Sequence, residues 1–328
     1  MTPEAERSPG GAPPRGRLPP LAGVRQAGLL DDALSGQICR WTSLPSALVA
    51  FAEFAGRTQS MRHILPLHWY VACRLVVEGG FDPDDIIPRP PFRVERRRRA
   101  APVLHFDPGL GGGGEGTILG GLKTKHVDVL VALERIGPVM SISCKGVTGA
   151  FRNLGNRLEE IVGEATNLHM TYPALVMGHL VLLRGNRPVD AVRKEAETGT
   201  RCCHRRGGGD TAINASGILA PPVRRFHDAL RDLGRRHGLA DGEGRCEAIA
   251  LAMVEMDKCH RSGLVAGFPE AGSGLELRDL FEALYARYDE RYVLRSPEMQ
   301  RRTVRNVWDP ASPGLKLFGL DYRVRATI

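Results

Sequence analysis

The stretch from Val127 to Leu183 restricts the possible folds more than any other part of the chain. Val127-Asp128-Val129-Leu130-Val131 is a β-branched run of strand length, and Val139 to Lys145 reads as a second strand stopped by Gly146. Leu154, Leu158, Ile161, Val162, Ala165 and Leu168 then recur at the helical period. This predicts a helix of about 17 residues with one face packed on the sheet. Leu175 to Leu183 reads as a third strand.

Further along, Val223 to Arg236 has helical spacing and Ala248 to Met253 reads as a fourth strand. Upstream, Leu48, Phe51 and Phe54, then Leu67, Tyr70, Val71 and Leu75, predict two helices between Ser46 and Val77, ending at the Gly79-Gly80 turn. Asp82 to Pro91 is a connector punctuated by prolines. Together these elements predict an α/β fold with a mixed central sheet flanked by helices, and additional helices from both ends of the chain. Residues 1–22 are crowded with Pro and Gly and read as a disordered tail, because such a composition buries too little apolar area to offset chain entropy. Residues 23–100 form a helical N-terminal region, and 101–328 form the core with a C-terminal helical elaboration, in one compact unit with 23–100.

At 328 residues, 42% hydrophobic and 25% charged, the chain is long enough for a sizeable core and outside the disordered and membrane classes. Its longest apolar stretch, Ala174 to Leu183, contains His179 and is well short of the roughly 20 residues a spanning helix needs. Seven cysteines and no apolar leader at the start fit a cytoplasmic protein. The formal charge of +8 and the clustering of arginines point to a polyanionic partner. The clusters are Arg96 to Arg99, Arg205-Arg206, Arg224-Arg225, Arg235-Arg236, and Arg301 and Arg302 with Arg305. Several such pairs suit the phosphates of a duplex, whereas any one of them reads equally well as a solvated surface.

Three motifs carry little weight. Gly109 to Gly114 spells GxGxxG, but it neither follows a strand nor opens a helix, and Gly120-Gly121-Leu122-Lys123-Thr124 interrupts the Gly-Lys pair of a phosphate loop. Cys202-Cys203-His204 and Cys259-His260 lack the spacing of a zinc site.

Asp128 carries more. An unpaired carboxylate among buried apolar residues is expensive, so Asp128 calls for a partner or a metal. Ser143 and Lys145 share a face of the next strand, because strand side chains alternate with period two. Glu159 and Glu160 flank the apolar stripe of the following helix, where at least one can lean back toward the strand end. Paired carboxylates binding Mg²⁺, with a lysine beside the scissile phosphate, are what phosphodiester hydrolysis needs. The bland alternative is a snorkelling lysine and two surface glutamates.

Val127-Asp128, then Ser143-Cys144-Lys145, then Glu159 resembles the PD-(D/E)XK nuclease superfamily, and within it the type II restriction endonucleases. The chain departs from the usual pattern, with Ser143 where a glutamate should stand and Val127 in place of proline. A subset of these enzymes, cutting sites with a CCGG core, carries the same swap and draws its carboxylate from the following helix, fourteen residues after the lysine, which here is Glu159. The resemblance implies a restriction-endonuclease-like sheet, with Asp128 and Glu159 (Glu160 as substitute) holding Mg²⁺ and Lys145 positioning the attacking water. Ser143 marks the vacated ligand position. Should the helix supply no ligand, Glu78 or Glu115 are the next carboxylates to consider.

Asn153, Asn156 and Arg157 on the helix, with Lys123 and Lys125 ahead of the first strand, are the expected DNA contacts, since Asn and Arg make bidentate bonds with bases. The implied function is Mg²⁺-dependent restriction endonuclease action on double-stranded DNA, as a homodimer with no membrane association. A repair or recombination nuclease and a catalytically inactive DNA-binding protein are the alternatives.

Overall fold

The computed structural model describes residues 41–54, 61–188, 205–206, 210–256, 262–317 and 320–327. The expected Pro/Gly-rich tail and the Cys202-Cys203-His204 and Cys259-His260 groups lie outside the described residues. Two N-terminal helices, α1 (Leu44–Glu53) and α2 (Leu65–Val77), precede an edge strand, β1 (Ile86–Ile87). Two hairpins follow, β2 (Phe92–Glu95) with β3 (Val103–Phe106), and β4 (Gly116–Ile118) with β5 (Lys125–Val127). The central elements are β6 (Val129–Leu133), β7 (Gly137–Val147), α3 (Leu154–His169) and β8 (Val176–Arg184). After the short parallel pair β9 (Arg187–Pro188) and β10 (Arg205–Arg206) come α4 (Pro221–Leu233), β11 (Ala248–Met256), β12 (Ser262–Leu264), α5 (Leu277–Tyr288) and α6 (Pro297–Thr303).

The main sheet is mixed and has six strands in the order β1-β6-β7-β8-β11-β12. β7, β8 and β11 run parallel, and antiparallel strands border them on both sides. Every residue of β8 is buried, as expected for a parallel strand covered on both faces. One face packs α1, α2 and α5 through Ile142, Cys144, Leu180, Ala250 and Phe281. The other packs α3 and α4 through Met177, Val181, Leu251, Ile161 and Phe226. The N-terminal helices therefore share one hydrophobic cluster with the sheet. Among the described residues no helix is long and apolar enough to cross a membrane.

The expected α/β architecture with a mixed sheet and flanking helices is present. Three local expectations are corrected. Gly146 does not end the second strand but lies within β7, and a Cβ there would meet the His63 and Phe51 rings at 2.8–2.9 Å, so glycine permits α1 and the Met61–Leu65 turn to approach. The proline-rich connector contributes β1, which pairs with β6. The first strand is not continuous through Asp128: the chain leaves β5 and enters β6 at that residue, because the carboxylate itself takes hydrogen bonds from β7.

Candidate active site

Asp128 stands where the chain passes from the β4–β5 hairpin into the main sheet, opposite Ser143. It is buried, and its Oδ2 accepts hydrogen bonds from Ser143 Oγ at 3.0 Å and from the Cys144 backbone N–H at 2.6 Å. Ser143 thus orients the aspartate. The other oxygen, Oδ1, faces His68 Nε2 at 3.8 Å. Glu115, carried in by the strand before β5, completes a group: the ligand atoms of His68, Glu115 and Asp128 lie within 4.8 Å of one another. Burial and the Asp128 charge both raise the Glu115 pKa, whereas burial lowers that of His68 against the pull of Asp128.

Lys145 follows two residues after Ser143 and on the same face of β7. Its Nζ is 3.2 Å from Glu160 Oε1 and 3.4 Å from Glu164 Oε2. Burial would depress its pKa, but Glu164, Asp128 and Glu160 outweigh it, so the ammonium is held firmly charged. Glu164 is buried between Lys145 and Lys125, whose Nζ lies 3.0 Å away. Burial would raise its pKa; the charges opposite, His179 and then Lys145 and Lys125, bring it below the ordinary value. His179 sits in register with Ser143 on β8, is fully buried and has its pKa pushed down to about 4 by burial, so at neutral pH the two lysines supply this effect.

The structure brings Asp128, Ser143 and Lys145 together as the strand spacing predicts. It sets Glu160 against Lys145 as well. Glu159 is exposed and its side chain contacts none of these groups. Glu78 is engaged elsewhere, 2.6 Å from Arg74, whereas Glu115 is at the site. Asn153 and Asn156 are exposed, and Asn153 with Arg157 lines a cleft of about 320 Å³ that begins at Gly146, beside Lys145, and is closed by Asp210. Arg157 pairs with Glu160. Lys123 is exposed on a loop whose Leu122 and Lys123 N–H groups donate to Asn167 Oδ1, while Lys125 faces inward onto Glu164.

His68, Glu164 and His179 are not among the site residues that the sequence motifs single out. Their signal is the one that singles out Asp128, a polar group on an apolar element: His68 within the apolar run of α2, Glu164 beside Ala165 on the buried stripe of α3, His179 in β8. Two of the arginine clusters are partly structural. Arg236 is buried against Glu247 at 2.7 Å and Arg305 against Asp289 at 2.6 Å, so neither is free for a phosphate. Arg98, Arg99, Arg225, Arg235, Arg301 and Arg302 remain exposed.

The donor set fits a divalent cation, because two carboxylates and an imidazole converge while His68 Nε2 has no hydrogen-bond partner. No protein-family model, no curated protein and no solved structure matches this chain.

Proposed function

We propose that this chain is a divalent-metal-dependent endonuclease of the PD-(D/E)XK type that hydrolyses phosphodiester bonds in double-stranded DNA, with type II restriction as its role. The observation that carries this reading is the placement of Asp128 across from Ser143-Cys144-Lys145, with Glu115 beside it. Asp128 and Glu115 would hold the cation, Mg²⁺ in the first instance, which when bound offsets phosphoryl charge and lowers the pKa of water.

The chain's own groups do the rest. Ser143 and the Cys144 N–H fix one oxygen of Asp128, so the other presents a set direction. Lys145, kept charged by Glu164 and Glu160, offers its ammonium to a phosphate oxygen as negative charge builds there. Glu164 holds the Lys145 ammonium from the buried side, so the charge is positioned before substrate arrives. The cleft lined by Gly146, the residue after Lys145, and by Asn153, with Asn156 exposed one turn along, would provide a groove for one strand and amides for base edges. A homodimer would match the two-fold symmetry of a palindromic site.

The test is digestion of supercoiled plasmid by the full-length protein with Mg²⁺ or Mn²⁺. Discrete fragments with uniform ends are expected with at least one of the two ions, and their absence with both overturns the reading. A second reading, a DNA-binding protein without catalysis, is favoured by Lys145 being engaged by two carboxylates and by Ser143 in the glutamate's place. It predicts sequence-selective binding in a gel-shift assay with no cleavage.

A further inference from the structure

His68 differs in chemistry from the other two members of the group. It lies on α2, where Leu67 to Val77 are buried without interruption, and is itself 1% exposed. A buried imidazole nitrogen without a partner is costly, and helix packing alone gives no reason to aim one at a carboxylate. Yet Nε2 is unpartnered, and at 3.8 Å from Asp128 Oδ1 it is beyond hydrogen-bond range. Glu115 closes the third side, with all three ligand atoms inside 4.8 Å. Three ligand atoms about 2.0–2.2 Å from one ion stand roughly 3–4 Å apart, so a group within 4.8 Å would draw together by on the order of an ångström on binding.

We propose that His68 is a direct ligand of the metal centre and that its nitrogen makes the site select a first-row transition ion such as Mn²⁺ or Co²⁺ over Mg²⁺. This rests on the metal-dependent reading above and goes beyond it in naming the ion class and the residue that chooses it. Mg²⁺ is a hard ion that takes oxygen ligands and keeps several waters. Imidazole nitrogen gains more from the transition ions, and the affinity of a mixed nitrogen and oxygen site rises from Mn²⁺ to Co²⁺. Two carboxylates without His68 would leave a site that favours such ions much less.

The test uses the full-length protein without DNA, with Mn²⁺ as the probe. Pulsed electron paramagnetic resonance of the bound ion should show ¹⁴N modulation from a coordinated imidazole. In His68→Gln that modulation should vanish, and the Mn²⁺ over Mg²⁺ preference, measured by competition titration, should fall by at least about tenfold, the lower end of what outer-shell changes already do to metal affinity. Mn²⁺ that binds through Asp128, as judged by its loss in Asp128→Asn, but shows no ¹⁴N modulation overturns the proposal and leaves the nuclease reading standing. Modulation that persists in folded His68→Gln also overturns it. If His68→Gln does not fold, His63→Gln, His126→Gln and His179→Gln, the other histidines nearest the site in sequence or register, take its place: modulation surviving all three is the result expected, and loss in any one refutes the proposal. No Mn²⁺ binding at millimolar concentration removes the site altogether, whereas binding with ¹⁴N modulation but no plasmid cleavage rejects the nuclease reading alone.

Discussion

Two buried acidic groups lie on the same molecule and have opposite surroundings. At the start of β11, Glu247 is fully buried with each charge answered: Arg236 and Arg291 each lie 2.7 Å from Oε1, and the Met177 N–H donates to Oε2 at 2.7 Å. At the β5–β6 junction, Asp128 has one satisfied oxygen, and the other faces an unpartnered imidazole and a second carboxylate. The first arrangement closes on itself and ties the turn after α5 and the loop after α4 to the sheet. The second leaves electron-pair donors converging with no cation paired to them, which is unfavourable for stability and useful for binding a cation. Satisfaction of the partners, more than burial, separates a structural charge from a chemical one.

The largest effect expected from breaking this contrast is on stability. Glu247→Ala strands two buried guanidinium groups, and urea denaturation should show a loss of about 3–5 kcal/mol. Asp128→Asn keeps an acceptor for Ser143 and Cys144 while removing a charge beside Glu115, so the same measurement should move by less than about 1 kcal/mol. Equal losses would erase the distinction.

Cleavage should respond in the reverse sense. On the nuclease reading proposed above, Asp128→Asn and Lys145→Ala should each lower the plasmid cleavage rate by at least about 100-fold, because each would remove a charge from the proposed phosphate site. Either variant cutting at the wild-type rate would overturn the proposal that the β5–β6 junction is a reaction centre.

Acid separates the two regions by pH. His179, its pKa pushed from 6.5 down to about 4, is neutral when folded and protonated when unfolded in that interval, so unfolding takes up a proton. Stability should therefore fall as pH drops from 6.5 toward 4, by on the order of 2–3 kcal/mol, and His179→Leu should flatten that segment. Glu247 has its pKa lowered below the ordinary 4.5 by His169, Arg291 and the Met177 N–H against burial, so its contribution is present above 4.5 and is lost only as pH falls below it. A wild-type profile that is flat from pH 6.5 to 5 would contradict the buried neutral His179.

The smallest effect concerns the helix carboxylates. Glu160 is half-buried against Lys145, and an ion pair of this exposure is worth about 0.5–1 kcal/mol, so Glu160→Ala should slow cleavage roughly two- to fivefold. The exposed Glu159 touches neither Lys145 nor Asp128, and Glu159→Ala should stay within about twofold of wild type. Inactive Glu159→Ala with intact folding would mean that the fourteen-residue spacing after the lysine, and not the contact seen at Glu160, identifies the carboxylate.

Much of the central architecture is legible in residue order. β7, α3 and β8 fall close to where the period-two and period-3.6 patterns put them, and the Asp128–Ser143 contact follows from a short turn between two apolar runs. Gly146 misleads, because a glycine required for close packing of His63 looks the same as one that stops a strand. Glu164 is hidden for a related reason: on the helix it reads as one more polar residue, and only the two lysines brought up from β5 and β7 account for its burial.

By itself the sequence determined which segments are strands and helices along this core, and which of their faces are apolar, because both depend on backbone periodicity and side-chain alternation over a few residues. Only the tertiary structure decided that His68 and Glu115 join Asp128, that Lys145 meets Glu160 and Glu164, and that Arg236 and Arg305 turn inward. Those pairings link residues far apart in the chain, and they are set by how the helices and hairpins pack on the sheet, a choice no local pattern encodes.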